Sequence, residues 1–217
     1  MKSYSIVEID VEQGSYEWLI ERAGVPTASN FKKILTSTGK RSAQSKEYVY
    51  DLVAGCLVDD IDVSPQSYAM VRGVELEPAA KSHYEIATGL KVKDCGFFKI
   101  DLEESCTIGC SPDGFIGKEG LLEIKCPMST NHAKYLSKGV IPSEYFVQVQ
   151  GQLLVTGRIW CDFVSYNPSF KEEYQMMIVR VIRDQEYINK LVEACVDLCK
   201  LKNDILNSIK GVESNEY

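Results

Sequence analysis

The hydrophobic pattern of the chain begins with helical segments. Apolar residues recur at the three- and four-residue spacing of an amphipathic helix at residues 15–23, 30–35, 46–57 and 68–88. Gly89 follows the last of these segments and is predicted to end it. The polar, glycine-containing stretch 35–45 is predicted to be an exposed loop.

The rest of the chain is dominated by strand-like segments. Short stretches bounded by turn residues predict strands at 90–100, 106–110, 113–117, 120–125, 159–166 and 174–183. Helical periodicity returns at 130–137, 142–156 and 184–209. Helices that precede, interrupt and follow a group of strands predict an α/β fold, with a central mixed β-sheet flanked by α-helices.

Length and composition predict a single globular domain over residues 1–217, since the chain is too short for two ordinary domains. The net charge of −7 argues against nonspecific wrapping of nucleic acid, although it leaves room for a local basic channel. No apolar stretch approaches the roughly 18 residues that span a membrane. The first residues also lack the apolar core of a secretory signal, so we expect a cytoplasmic protein with no membrane partner.

Eight cysteines invite a metal or disulfide interpretation. Their spacing includes no CxxC motif and no cysteine–histidine pairing of the zinc type. We therefore expect small core residues in a reducing compartment.

Candidate chemistry is concentrated in the strands around residues 113–125. Asp113 is followed by nine residues and then by Glu123-Ile124-Lys125. If 113–117 and 121–125 form a hairpin, the alternation of side chains places Glu123 and Lys125 on one face of the sheet. Two carboxylates and an ammonium at one sheet edge can hold a hard divalent cation and activate a water beside it. Gly114 is expected to allow an unusual backbone conformation beside the aspartate.

Each of these residues also has a plain alternative. The hairpin can be an ordinary one with exposed charges, and Glu77 can be a solvated acid on its predicted helix. Tyr145 and Gln148 share a helical face with Gln152, which can be a polar surface stripe. Charges inside an otherwise apolar strand favour the functional interpretation, because such charges are costly unless paired or metal-bound.

Asp113 with Glu123-Ile124-Lys125 is the signature of the PD-(D/E)xK nucleases, and the wider sequence resembles the bacteriophage lambda exonuclease family, or YqaJ-type viral recombinases. Five blocks carry the resemblance, in order, over roughly residues 12–200. They are Glu12-Gln13-Gly14 with Trp18 and Arg22, the stretch 24–29 (GVPTAS), the stretch 73–77 (GVELE), Ser111-Pro112-Asp113-Gly114 with the stretch 123–127 (EIKCP), and Tyr145 with Gln148-Val149-Gln150.

The resemblance implies a restriction-endonuclease-like core and a Mg²⁺-dependent exonuclease. The enzyme would digest one strand of linear duplex DNA from its 5′ end, release mononucleotides and leave a 3′ single-stranded tail. By position, the metal ligands would be Asp113, Glu123, Glu77 and the backbone carbonyl of Ile124. Two Mg²⁺ ions, for which Mn²⁺ can substitute, would stabilise the attacking and leaving oxygens. Lys125 would orient or activate the attacking water, or stabilise developing charge. Tyr145 and Gln148 would help position the scissile nucleotide.

A second set of residues matches the pocket of this family for a terminal 5′-phosphate. This set consists of Arg22, Ser29 and Ser111. Arg22 can alternatively be a surface residue of its helix, and Ser29 can simply be a helix N-cap. Lys40 and Arg41 are predicted to contact the DNA backbone or to lie in a solvated loop. Met70 is predicted either to part the DNA strands or to be a core residue. The resemblance also implies a single-strand annealing protein as partner, a trimeric ring, and action in the bacterial host cytoplasm if the gene is carried by a phage or prophage.

Three alternatives differ in chemistry. An iron–sulfur nuclease with the same core motif would need four cysteines gathered from the chain ends, yet the first 55 residues contain none. A restriction endonuclease or junction resolvase would cut closed circular DNA. A catalytically inert DNA-end-binding module would bind ends without hydrolysing them.

Overall fold

The computed structural model describes residues 4–61 and 67–213. The predicted domain over residues 1–217 also includes 1–3, 62–66 and 214–217, which lie outside the described residues. Short 3₁₀ helices occur at Ala28–Lys33 and Glu172–Tyr174. The α-helices are α1 (Tyr16–Arg22), α2 (Ser45–Leu57), α3 (Tyr68–Thr88), α4 (Ser129–Lys138), α5 (Ser143–Thr156) and α6 (Gln185–Glu213).

The strands form two sheets. They are β1 (Ile6–Ile9), β2 (Val92–Lys93), β3 (Phe97–Glu103), β4 (Cys106–Cys110), β5 (Gly114–Ile116), β6 (Gly120–Lys125), β7 (Trp160–Tyr166) and β8 (Met176–Ile182). One sheet has the order β1-β3-β4 and the other the order β2-β5-β6-β7-β8. In the larger sheet only β6 and β7 pair in parallel, which makes it mixed, as predicted.

Two sequence-based predictions about the strands are wrong. The segment 90–100 is not one strand, because β2 joins the larger sheet and β3 the smaller one. The sequence pattern also missed β1, an edge strand whose Ile6 and Val7 are exposed, so that it lacks the buried alternation of a core strand.

Helix α5 lies at the junction of the two sheets. It contacts β3 and β4 of the smaller sheet, β7 of the larger sheet and the first 3₁₀ helix. Its residues 149–155 are all buried, which is unusual for a helix with only one apolar face. Side chains on its polar positions are therefore held against the sheets rather than in solvent.

The larger sheet has a hydrophobic cluster against α3, formed by Ala80 and Tyr84 of the helix with Leu122 and Ile124 of β6. Leu121, on the other face of β6, belongs to the main core with Val149 of α5. The alternation predicted for 121–125 is confirmed, and it directs Glu123 toward the α5 side. No helix among the described residues is both long and apolar enough to cross a membrane.

Two glycines explain local features of this framework. Gly89 ends α3 in the left-handed conformation at a φ of 71°, as predicted. The expectation for Gly114 is wrong, since it is not among the glycines with positive φ. Instead, a Cβ atom there would lie 2.3 Å from Cγ1 of Val92. Gly114 therefore allows β2 to pack closely beside the motif aspartate.

Candidate active site

The predicted hairpin brings the two halves of the motif together. β5 and β6 pair antiparallel, with Gly114 opposite Leu122. The N–H of Asp113 donates to the carbonyl of Leu122 at 3.1 Å, and the Oδ2 atom of Asp113 accepts from the N–H of Ile124 at 2.6 Å. The aspartate side chain is thus held against the backbone between Glu123 and Lys125.

Glu123 is a buried carboxylate with donors on both oxygens. Its Oε1 atom accepts from Nε2 of Gln148 at 2.7 Å, and its Oε2 atom accepts from Nε2 of Gln152 at 2.5 Å. The ammonium of Lys125 forms an ion pair with Oε1. The Glu123 side chain is only 1% exposed, and these contacts offset the cost of burying its charge.

Lys125 lies between the carboxylates and an aromatic side chain. Its Nζ atom is 5.4 Å from the ring centroid of Tyr145, which stacks against Phe163 with centroids 5.3 Å apart. Burial lowers the pKa of Lys125, but the charges of Glu123 and Asp113 and the hydrogen bond to Glu123 outweigh it. The net pKa of Lys125 therefore lies above its ordinary value, and the side chain is an ammonium.

Excess negative charge surrounds this ammonium. Burial raises the pKa of Asp113 well above its ordinary value, and the charges of Glu123 and Glu77 add to the effect. Burial also raises the pKa of Glu77 on α3, with Glu123 contributing further. Three carboxyl groups from α3, the residue before β5, and β6 thus influence one another electrostatically.

The donor chemistry of these groups fits a hard divalent cation. Carboxylate oxygens are the ligands that Mg²⁺ prefers, and the mutual repulsion of these carboxylates is what a bound cation would offset. Among residues 4–61 and 67–213, however, no three His, Cys, Asp or Glu side chains form a ready-made metal cluster. Asp113 and Glu123 instead direct oxygens to protein donors.

A partly buried arginine lies at the end of α1, beside this site. Arg22 donates to Oγ1 of Thr27 at 3.2 Å and to Oγ of Ser29 at 3.1 Å. Its guanidinium lies 4.0 Å from the ring centroid of Trp18. Burial lowers the pKa of Arg22 to about 10, and the contributions that oppose this come from Tyr48 and Cys110 rather than from a carboxylate. The guanidinium is therefore available to an anion.

Ser111 is linked to the arginine side of the site by Trp18. The Nε1 atom of Trp18 donates a hydrogen bond to Oγ of Ser111 at 2.8 Å. One cavity of about 150 Å³ joins the two sets of predicted residues. It is lined by Arg22, Ser29, Ser111, Asp113, Glu123, Lys125 and Gln148, and also by Gln13, Trp18, Ala28, Cys110 and Gln152. A larger cleft of about 860 Å³ adjoins it at Gln13 and Asp113 and is lined by Glu77.

Comparison with known proteins places this geometry in a family. The family described as YqaJ-like viral recombinase domain matches residues 17–159. The chain belongs to this family. No curated protein matches the chain significantly.

Solved structures are similar to this family member over more of the chain than residues 17–159. An alkaline exonuclease, LHK-Exo from Laribacter hongkongensis, is 32% identical with a TM-score of 0.84, and the alignment covers 94% of this chain and all of that one. The same enzyme in complex with dAMP gives a TM-score of 0.83 at the same identity and coverage. A phage-related exonuclease from Haemophilus somnus 129PT is 15% identical with a TM-score of 0.65, covering 85% of this chain and 96% of that one, and shows the fold alone. The predicted α/β nuclease fold and the family resemblance are confirmed.

The remaining predicted residues of this YqaJ-like chain lie outside the joint cavity. Lys40 and Arg41 are exposed, and Arg41 forms an ion pair with Asp197 of α6. Met70 is 58% exposed on α3, so the interpretation as a core methionine is wrong. Contact of these residues with DNA stays a prediction.

Trp18 and Gln152 also line the cavity, although the sequence pattern assigns neither of them to the site. Trp18 lay in a matched block, but its contacts with Ser111 and Arg22 depend on how α1 docks. Gln152 could have been found from its spacing, since it lies one helical turn after Gln148. The pattern could not show that this helical face is buried against β6.

Proposed function

We propose that this protein is a Mg²⁺-dependent 5′→3′ exonuclease that digests one strand of linear double-stranded DNA from its 5′-phosphorylated end. It releases mononucleotides and leaves a 3′ single-stranded tail. Nuclease activity is supported by membership of the YqaJ-like family and by 32% identity to an alkaline exonuclease over nearly the whole chain. The observation that carries the proposal is the cavity shared by Asp113, Glu123 and Lys125 with Arg22, Ser29 and Ser111.

The acidic side of the cavity, together with Glu77 in the adjoining cleft, would hold the metal. Asp113, Glu123, Glu77 and the Ile124 carbonyl would supply oxygen donors for two Mg²⁺ ions, with Mn²⁺ able to substitute. Bound Mg²⁺ supplies a water of lowered pKa and compensates charge on the phosphate in the transition state. The raised pKa values of Asp113 and Glu77 support this, because burial and then the charges of neighbouring carboxylates disfavour the ionised forms, and a bound cation would favour them.

Lys125 acts as an ammonium. In the cation-free protein its pKa lies above the ordinary value, so it donates hydrogen bonds and compensates charge. In this role it orients the attacking water and stabilises charge on the phosphate. Tyr145, stacked on Phe163, and Gln148, hydrogen-bonded to Glu123, position the scissile nucleotide.

The arginine side of the cavity would determine polarity. A terminal phosphate carries more charge than a bridging diester, so Arg22 with two hydroxyl groups favours the end of a strand. Binding of the new 5′-phosphate after each cleavage would advance the strand by one nucleotide. The complex of LHK-Exo with dAMP supports a mononucleotide as product in this family.

Our proposals for the partners and the location of the protein rest on its family. We expect a single-strand annealing protein to receive the 3′ tail, a homotrimeric ring to surround the DNA, and Lys40, Arg41 and Met70 to contact the duplex. The protein would act in the cytoplasm, of a bacterial host if it is phage-encoded. Its eight free cysteines are compatible with that reducing compartment.

Comparison of linear with covalently closed circular duplex DNA of the same sequence tests the exonuclease assignment. In Mg²⁺ the linear substrate should be degraded to mononucleotides and the closed circle should stay intact, while a chelator should stop the reaction. Asp113→Asn protein from the same preparation procedure controls for a contaminating nuclease. Cleavage of the closed circle by the wild-type protein alone would instead indicate an endonuclease.

A further inference from the structure

Gln152 makes an unusual pair of contacts for a buried side chain. It is fully buried on α5, and its Nε2 atom donates to Oε2 of Glu123 at 2.5 Å. Gln148, one turn earlier, donates to the other oxygen of the same carboxylate. The two amides therefore restrain both rotation and tilt of the Glu123 carboxylate.

The other half of the Gln152 amide has no such partner. Its Oε1 atom is buried and accepts no hydrogen bond from any described residue, although Gln152 lines the joint cavity. Reversing the amide would not solve this, because an ionised carboxylate needs a donor and would then face an oxygen. Buried carbonyl oxygens normally find a donor, and the cavity is where a water can supply one.

Gln150 shows what a structural glutamine looks like on the same helix. It is also fully buried, but both halves of its amide bond to backbone: Nε2 donates to the Ile182 carbonyl at 2.8 Å and Oε1 accepts from the Asp184 N–H at 2.9 Å. Gln150 thereby joins α5 to the segment between β8 and α6. The side chain of Gln152 makes no comparable link among the described residues, and its hydrogen-bond partner there is the motif glutamate.

We infer that Gln152 is a positioning residue for Glu123, which fixes the orientation of the Glu123 carboxylate for a divalent cation while its own Oε1 atom accepts a hydrogen bond from a water in the cavity. This inference rests on the proposed metal-dependent function. Outer partners that orient a metal-binding carboxylate commonly change metal affinity or activity by about 10- to 100-fold when removed. Loss of Gln152 should therefore weaken cation binding.

The test uses calorimetric titration of the full-length protein with Mg²⁺, thermal unfolding, and steady-state kinetics on linear duplex DNA. Gln152→Met keeps the length of the side chain without the amide. It should weaken Mg²⁺ binding by about tenfold and lower kcat at limiting Mg²⁺, with an unchanged KM for DNA ends. Its Tm should fall as well, because a buried carboxylate oxygen loses its donor. Gln150→Met is the matched control, which should lower Tm but leave Mg²⁺ affinity within about twofold of wild type, since its amide bonds only to backbone.

Wild-type Mg²⁺ affinity in Gln152→Met would overturn the inference and leave the proposed function standing. Absence of Mg²⁺ binding by the wild-type protein would overturn the metal-dependent function, and the inference with it.

Discussion

The carboxylate of Asp113 accepts a hydrogen bond from the backbone N–H of Ile124 at 2.6 Å. This contact joins the two halves of the motif across the β5–β6 hairpin. It also holds Asp113 close enough to Glu123 for their charges to interact, so that the pKa of Asp113 is raised by burial and then by Glu123. The fold thus maintains like charges near each other, which is typical of sites that bind cations.

Asp113→Asn should remove hydrolysis and stabilise the cation-free protein. Loss of a residue that only orients a metal ligand lowers activity by up to about 100-fold. Because Asp113 is a proposed ligand itself, we expect a larger loss of activity. The asparagine side chain can still accept from the Ile124 N–H but carries no charge. In chelator at pH 8, thermal unfolding should show a Tm at least about 2 °C above wild type, the shift that roughly 1 kcal/mol gives in a chain of this size.

The sign of the pH dependence follows from the raised pKa of Asp113. The folded state holds this proton more tightly than the unfolded state, so the stabilisation is present at low pH and is lost as the pH rises through the folded-state pKa. The Tm advantage of Asp113→Asn should therefore shrink on acidification, and also on addition of Mg²⁺. An advantage that is constant with pH would contradict the electrostatic explanation.

Lys125→Met should have the opposite effect on stability. The ammonium compensates Glu123 and Asp113, and its removal leaves carboxylates without their only nearby cationic ion-pair partner among the described residues. Hydrolysis should be lost, and the Tm in chelator at pH 8 should fall by at least about 2 °C. Normal turnover of this variant, measured on linear duplex DNA, would show that Lys125 has no part in the reaction.

Arg22→Gln should remove the preference for a 5′-phosphate. The guanidinium bonds to Thr27 and Ser29 and has no carboxylate among the main contributors to its lowered pKa. Since hydrogen bonds to charged groups contribute roughly 1.5–3 kcal/mol, the preference for phosphorylated over hydroxyl ends should fall by at least about tenfold. Initial rates on the two ends measure it.

Arg41→Gln is the matched control for that experiment. Arg41 is exposed and ion-paired with Asp197, outside the cavity. Its loss should reduce binding to all DNA ends alike if it contacts the backbone, without changing the phosphate preference. An equal loss of preference in both variants would argue against a specific pocket at Arg22.

His132 should make the protein sensitive to mild acid. It is buried, its Nδ1 atom lies 2.8 Å from Oγ of Ser165, and its Nε2 atom donates to the carbonyl of Tyr174 at 2.8 Å. Burial lowers the pKa of His132. Its contribution to stability is therefore present above the unfolded pKa and is lost as the pH falls through the folded-state pKa.

Thermal unfolding at pH 7.5 and 5.5 measures this effect. On going from pH 7.5 to pH 5.5, the Tm of the wild type should fall by at least about 2 °C more than the Tm of His132→Gln. His83→Gln, at an exposed histidine on α3, is the control and should follow the wild type. Equal changes of Tm in all three proteins would show that the acid sensitivity comes from groups other than His132.

The local part of the site could be predicted from the sequence because its residues are close to one another along the chain. Asp113 and Glu123 are brought together by one short hairpin, and the alternation along β6 separates Glu123 and Lys125 from Leu122 and Ile124. A two-residue periodicity and a turn are sufficient for that result.

The long-range part could not be predicted from pattern alone. The hydrogen bond between Trp18 and Ser111 depends on docking of α1 against the end of β4, and no local periodicity reports it. Glu77 has the spacing of an ordinary helical acid, and only the fold gives it burial and the charge of Glu123 nearby. The family resemblance indicated Glu77, Arg22, Ser29 and Ser111, and the structure then gave the distances and burial.

Strand assignment failed where two segments with the same pattern join different sheets. Val92 and Phe98 both lie in the stretch 90–100 that the pattern predicts as one strand, yet Val92 pairs with Ile116 in the larger sheet and Phe98 with Cys110 in the smaller one. Strand propensity reports how a segment fits a pleated surface, but it carries no information about which surface.

Digestion of linear duplex DNA labelled separately at its 5′ and 3′ ends, with and without a 5′-phosphate, tests the central claim most directly. We predict early release of the 5′ label as a mononucleotide, faster with the phosphate, while the 3′ label stays on a long single strand. Early release of the 3′ label, or equal rates with and without the 5′-phosphate, would contradict a 5′→3′ exonuclease guided by Arg22.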